Sequence, residues 1–230
     1  MPARWTSRAV VGARGSSRLL IFLAGVSLIG GPAGAQTEGC EPVGQRAGRE
    51  FGCFITARAE LGALPRDTAL YWHIDAFSTL SLADAAKARR GTVVSTLGRT
   101  WLFTVADSGW RPVGGERVAM AGPLPLVQAG SYAAVYMEAE FLPGMHSPIH
   151  RHPGVEVWHT LEGEQCLETP DGKLTQRAGD PPVMVHGGVP MILTGTGRGV
   201  RRSLVLILQD ATKPRSMLAT DWSPAGLCRP

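Results

Sequence analysis

The chain has 230 residues, 44% of them hydrophobic and 18% charged, which is enough apolar material for a packed core and excludes a disordered chain. Its formal charge of +4 sits at one end: residues 1–35 hold Arg4, Arg8, Arg14 and Arg18 and no acid, so taking those four from 23 basic residues leaves 19 against 19 acidic ones. A balanced remainder gives no electrostatic case for nucleic acid or an anionic membrane as partner, and the basic pairs Arg89-Arg90 and Arg201-Arg202 read as solvated surface.

After the arginines, residues 19–30 form an uncharged, mostly apolar run, followed by Pro32-Ala33-Gly34-Ala35. This pattern predicts a signal peptide cleaved after Ala35, and hence a periplasmic or secreted product. An uncleaved anchor fits less well, because a span needs roughly 20 apolar residues and Pro32 interrupts the run. Cys40, Cys53, Cys166 and Cys228 all follow the cleavage point, and an even number of cysteines in an oxidising compartment predicts disulfides. Cys40 and Cys53 are close in sequence, and Cys228 can reach back to Cys166 as a staple for the carboxy-terminal tail. Sequence does not choose among the three pairings, and a buried free thiol at Cys166 stays open.

Residues 36–50 read as an irregular entry segment. Residues 51–74 are mixed in pattern, with a strand at 69–74. Ser81 as a cap, Asp84 in the first turn and Gly91 as terminator predict a short helix over 81–90. Residues 92–95 and 100–105 read as a hairpin across Leu97-Gly98. Glycine and proline crowd residues 109–125, which mark a joint before the main domain. From residue 131 the signal is β throughout: a long strand at 132–141 ends at the Pro143-Gly144 turn. Residues 155–161 and 164–169 read as a hairpin around Glu162-Gly163, and Asp171-Gly172 marks a further tight turn. Short strands at 183–185, 191–194 and 203–208 complete a series whose spacing suggests an antiparallel sandwich or jelly roll.

Five of the six histidines, His146, His150, His152, His159 and His186, fall within this β region. His150 and His152 are two residues apart, so on a strand both rings point to one face. Pro153-Gly154 then lets the chain bend and return Glu156 towards that face. Two neutral imidazoles and a carboxylate can hold one side of a divalent metal and leave other positions open, as in non-haem iron(II) sites; zinc, manganese, nickel and copper use similar donors.

Gly144, His150, His152, Glu156 and Gly163 fit the pattern G-x5-H-x-H-x3-E-x6-G, and through it residues 120–212 resemble the cupin superfamily. The resemblance implies an all-β fold: a jelly-roll β-barrel, with residues 36–119 as a short mixed amino-terminal extension and 213–230 as a carboxy-terminal tail. It implies a divalent metal inside the barrel, iron first, with manganese, zinc, nickel or copper as alternatives. It also implies a small-molecule ligand or substrate, and a homodimer is a common assembly among similar cupins. In the second cupin motif a fourth ligand histidine is expected, but His186-Gly187-Gly188-Val189-Pro190-Met191 places Met191 there. Met191 is expected to form an apolar wall, while His186 and His146 are further candidates near the metal. Trp158 shares the face of Glu156 and is expected along the cavity; His159 has the opposite parity and is expected to face outwards. Glu138 and Glu140 alternate on one strand face and read as solvated, or as one acid or base inside the cavity. The resulting readings are a metal-dependent enzyme, dioxygenase-like or a lyase or isomerase, and a non-catalytic small-ligand-binding protein.

Overall fold

The computed structural model describes residues 40–229; the leader expected over 1–35 lies outside them. In chain order the strands are β1 (Glu41–Pro42), β2 (Gly52–Gly62), β3 (Tyr71–Phe77), β4 (Gly91–Thr96), β5 (Arg99–Ala106), β6 (Glu116–Ala121), β7 (Tyr132–Phe141), β8 (His150–Arg151), β9 (Val155–Glu162), β10 (Glu164–Thr169), β11 (Gly172–Arg177), β12 (Val183–Val185), β13 (Ile192–Thr196), β14 (Arg201–Asp210) and β15 (Met217–Leu218). A single α-helix among the described residues, α1 (Leu80–Ala85), lies between β3 and β4. The all-β reading holds, and no described helix is long and apolar enough to cross a membrane.

A six-stranded sheet in the order β1-β2-β7-β14-β9-β12 is the centre of the molecule. Its strands carry apolar side chains on both faces, so every residue of β7 is buried. On one face, Tyr136, Leu204, Leu206, Val155 and Val157 pack with Trp72 and Phe103 of the four-stranded sheet β4-β5-β3-β6. On the other, Met137, Trp158, Val205 and Ile207 pack with Leu167 and Leu193 of the three-stranded sheet β11-β10-β13. The period-two alternation of a strand thus supplies two cores at once. The candidate metal ligands belong to the second.

Several local readings need correction. The mixed stretch after residue 51 contains β2, which pairs antiparallel with β7 from Gly52↔Glu140 to Gly62↔Tyr132. Residues from the expected extension therefore share a sheet with the barrel region. The turn-rich joint at 109–125 includes β6, which pairs with β3. The helix is shorter than expected, and Thr79 caps it by accepting from the amide of Leu82 at 3.2 Å. β9 and β10 follow one another but do not pair: β9 lies between β14 and β12, whereas β10 lies between β11 and β13. The chain crosses between sheets at Gly163, whose φ is +71° and where a Cβ would come 2.6 Å from the carbonyl oxygen of Val200. A glycine with a turn-like signal serves a crossing as well as it serves a hairpin. The turn before Gly172 does form a hairpin, with Thr169 opposite Gly172.

Disulfides join Cys40 to Cys53 and Cys166 to Cys228, so no described cysteine is a free thiol. The second closes a separation of 62 residues and holds the tail along β10. There the Glu168 carboxylate accepts from the amides of Ala225, Gly226 (3.1 Å) and Leu227 (2.8 Å). Cross-linking so long a loop restricts the unfolded chain, and Cys166→Ala/Cys228→Ser is expected to lower the unfolding free energy by about 3 kcal/mol. Urea melts under oxidising conditions measure this, and an unchanged midpoint would show that the cross-link adds nothing to stability.

Candidate metal centre

Residues 146–152 run as a strap between β13 and the tail. His146 bridges Thr194 and His150 bridges Met191, while β8 pairs with β15 as Leu218↔His150 and Met217↔Arg151. Paired on both sides, the main chain of this segment is fixed in place, and hydrogen bonds from the rings themselves set their orientation. After the bend at Pro153-Gly154, β9 enters the central sheet and presents Glu156, opposite Ile207 and Val185, to the same interior. One ligand atom from each of His150, His152 and Glu156 lies within 4.8 Å of the others.

The imidazoles are held in one tautomer. His150 Nδ1–H donates to the Pro148 carbonyl at 2.8 Å, and His152 Nδ1–H donates to the Arg215 carbonyl at 2.6 Å. A carbonyl only accepts, so each neutral ring keeps its Nε2 lone pair for another partner. Such a backbone hydrogen bond on the far nitrogen is how metal-binding histidines are oriented. His152 Nε2 and Glu156 Oε2 are 3.1 Å apart but not aligned as a hydrogen bond, and both are buried without a partner. With His152 neutral, two buried acceptor atoms converge with no hydrogen between them, a cost that either a proton or a metal ion placed between them removes. The donor set of two imidazoles and one carboxylate fits a divalent metal.

Charge coupling follows the same geometry. Burial pushes the Glu156 carboxyl up, but His152 beside it, helped by His150 and Arg201, outweighs this and holds it below its usual value. Burial pulls His152 down, yet the Glu156 carboxylate more than offsets it and leaves this histidine above its usual value, whereas burial leaves His150 below. A proton competes with a metal for His152 Nε2. Because that pKa is raised, metal affinity should begin to fall while the pH is still above the ordinary histidine value of about 6.5. Metal retained on dialysis in steps from about pH 8 to about pH 5 measures this; retention constant across the range would contradict it.

The cavity at the triad encloses about 80 Å³ and is lined mainly by apolar groups, among them Met137, Phe141, Trp158, Leu193 and Val205. Trp158 therefore stands where strand parity places it. Met191 is 1% exposed and packs in the same apolar cluster, and its main chain meets His150 through hydrogen bonds of 3.0 and 2.8 Å. His186 is exposed and His146 is half-buried with Nδ1 on the Ser147 carbonyl; both lie outside the triad group. The turn of the second motif survives without its ligand. Gly188 N–H donates to the His152 carbonyl at 2.7 Å, and Gly187 packs against Pro153 and Gly154.

Three readings of polar residues change. Glu138 and Glu140 are neither solvated nor in the cavity: they are buried on the opposite side of β7, where Arg46 pairs with both and Arg202 with Glu140 at 2.8 Å. His159 does face away from the triad, but it is buried, at 8% exposure, against the other core. Arg201 is not solvated surface. It is 0% exposed and lines the cavity, stacked over Phe141 with its guanidinium carbon 4.8 Å from the ring centroid. Strand parity carried the signal, since Arg201 shares its face of β14 with Ser203, Val205 and Ile207. Arg215, from the tail, also lines the cavity.

No family model and no curated protein matches the sequence. Among solved structures, the chain is similar to a conserved protein with a double-stranded β-helix domain from Klebsiella pneumoniae (19% identity, 37% of this chain and 70% of that one, TM-score 0.33). It is similar also to a DMSP lyase from Ruegeria pomeroyi (21% identity, 39% and 45%, TM-score 0.34) and to a cupin 2 domain-containing protein from Halorhodospira halophila (18% identity, 39% and 59%, TM-score 0.31). The chain thus spans less than half the length of the lyase. In this chain two sheets pack face to face, with the His150, His152 and Glu156 group on the interior side of the central one, an all-β arrangement compatible with the jelly roll that the motif from Gly144 to Gly163 implies.

Proposed function

We propose that this chain is an exported cupin-type metalloprotein that holds a divalent ion, iron(II) first among the candidates, on His150, His152 and Glu156 and acts on a small molecule in the cavity beside it. The observation that carries this reading is the pair of imidazoles fixed by backbone carbonyls, with ligand atoms of His150, His152 and Glu156 converging within 4.8 Å and His152 Nε2 and Glu156 Oε2 buried side by side. A bound metal would act as a Lewis acid or, as iron, support oxygen chemistry. The chain's own role is to keep the Nε2 lone pairs exposed to the ion, to exclude bulk water with Phe141, Leu193 and Val205, and to keep positions open opposite three protein ligands. Export is supported by the two disulfides and by the leader pattern.

The test is elemental analysis of protein purified from its exported fraction, with oxygen uptake followed on phenolic, thiol and keto-acid compounds. Stoichiometric metal with oxygen-dependent turnover supports the dioxygenase, and turnover without oxygen a lyase or isomerase. Near-zero metal after purification and after reconstitution overturns the metalloprotein. The second reading, a binding protein without catalysis, is favoured by Met191 at the fourth-ligand position; saturable binding of a metabolite with no turnover distinguishes it.

A further inference from the structure

The charge inside the cavity does not balance. Glu156 is the one acid among its lining residues, and it faces two guanidinium groups, Arg201 and Arg215. Arg215 donates to the Cys40 carbonyl at 3.1 Å and has no carboxylate within ion-pair distance among the described residues. Arg201 is the more telling, because it is fully buried. Its Nη2 donates to Gln165 Oε1, a neutral acceptor. Gln165 is fixed in that orientation because its Nε2 donates to Gln176 Oε1 at 3.0 Å, and Gln176 in turn donates to the carbonyls of Trp158 and Pro181. The other two guanidinium nitrogens, Nε and Nη1, have no hydrogen-bond partner. No carboxylate lies within ion-pair distance of Arg201 among the described residues.

A guanidinium taken out of water is unfavourable unless a counter-charge balances it; Glu156 acts on Arg201 only from beyond ion-pair distance, and a neutral polar network that holds one arm in place does not neutralise the charge. If Glu156 binds a divalent ion, its negative charge is committed there and the interior becomes more positive still. The remaining walls are apolar and the enclosed volume is about 80 Å³, far below the roughly 300–1,000 Å³ of sites for drug-sized ligands. We infer that the cavity takes a small organic carboxylate, whose carboxylate group docks on Arg201, with Arg215 adding to the attraction from the tail side. The short hydrocarbon body lies against Phe141, Leu193 and Val205. This inference rests on reading the cavity as the ligand site of the proposed function and supplies its substrate class. It assigns Arg201 to the anion and leaves the metal to the triad.

The experiment is calorimetric titration of the purified chain, metal-free and zinc-loaded, with propionate and succinate and with their uncharged amides. The carboxylates are expected to bind at least about tenfold more tightly than the matched amides. Arg201→Met should remove that preference while zinc binding is kept, and Arg201→Lys should retain some of it. Arg215→Gln, at a half-buried position, should weaken the carboxylate alone. Equal binding of carboxylate and amide by the wild-type chain, or an undiminished preference in Arg201→Met, overturns the inference. If Arg201→Met does not fold, the wild-type contrast and Arg215→Gln still decide. Failure of zinc to bind the wild-type chain counts against the metal reading alone, since the carboxylate preference is then read on the metal-free protein.

Discussion

His150→Ala and His152→Ala should each lower divalent-metal affinity by more than about 100-fold, and the double variant should purify without metal. Loss of even an outer partner of a metal ligand typically costs 10–100-fold, and these substitutions remove donors themselves. The fold should survive. The strap that carries both histidines is held by main-chain pairing to Met191, Leu218 and Arg151's partner Met217, and none of those bonds uses an imidazole. Glu156→Gln should also lose the metal, but it is a poorer probe. It removes the one negative charge of a cavity that holds two guanidinium groups, so its effect on folding and on metal cannot be separated. The measurement is metal content by elemental analysis beside a thermal melt of the metal-free proteins. Metal content equal to wild type in the double variant would refute the triad, whereas a collapsed melt would refute the view that the strap is held by its backbone.

Much of this site was legible because its determinants are local. His150, His152 and Glu156 follow each other within seven residues, and strand parity with one bend is enough to bring them to one interior. The long strand β7 was legible for the same reason, since ten successive residues suit a strand buried on both faces. What sequence concealed depends on partners far along the chain. β2 is stabilised by pairing with β7 about 80 residues later, and its alternation is interrupted by register shifts between Ile55 and Ala57 and between Glu60 and Gly62. The crossing at Gly163 has the local chemistry of a hairpin turn; only the sheet membership of β10 tells the two apart. Arg201 was hidden by its neighbour. In Arg201-Arg202 the two side chains point to opposite faces of β14, one into the cavity and the other to Glu140 and Glu162. A charged pair read as a unit suggests surface, while the same pair read with period two suggests one guanidinium in and one out.

Gly154→Ala should be among the most destabilising single-methyl additions in the chain, about 4 kcal/mol, although this glycine needs no unusual φ. A Cβ at this position would collide with the carbonyl oxygen of Leu208 and come 2.7 Å from the Cα of Gln209, both main-chain atoms of β14. Nor can the loop retreat. On its other side lies Gly187, whose own added Cβ would come 2.8 Å from the Pro153 oxygen and 3.0 Å from the Gly154 Cα. The bend between β8 and β9 is thus held between β14 and the second-motif turn, and a methyl group must push away either the strand or the turn. Displacing β14 loses the Val155↔Leu208 pairing and then shifts Glu156 opposite Ile207, so stability and metal affinity should fall together. Displacing the turn loses the Gly188-to-His152 hydrogen bond and loosens His152 instead. Gly130→Ala is the control, since its Cβ meets nothing and its backbone is ordinary; there the expected change is within about 1 kcal/mol of zero, because alanine also restricts the unfolded chain. Urea melts of the two metal-free variants decide the matter. Equal midpoints would mean that the close approach at Gly154 does not constrain the bend, and that another feature holds Glu156 in register with the histidines.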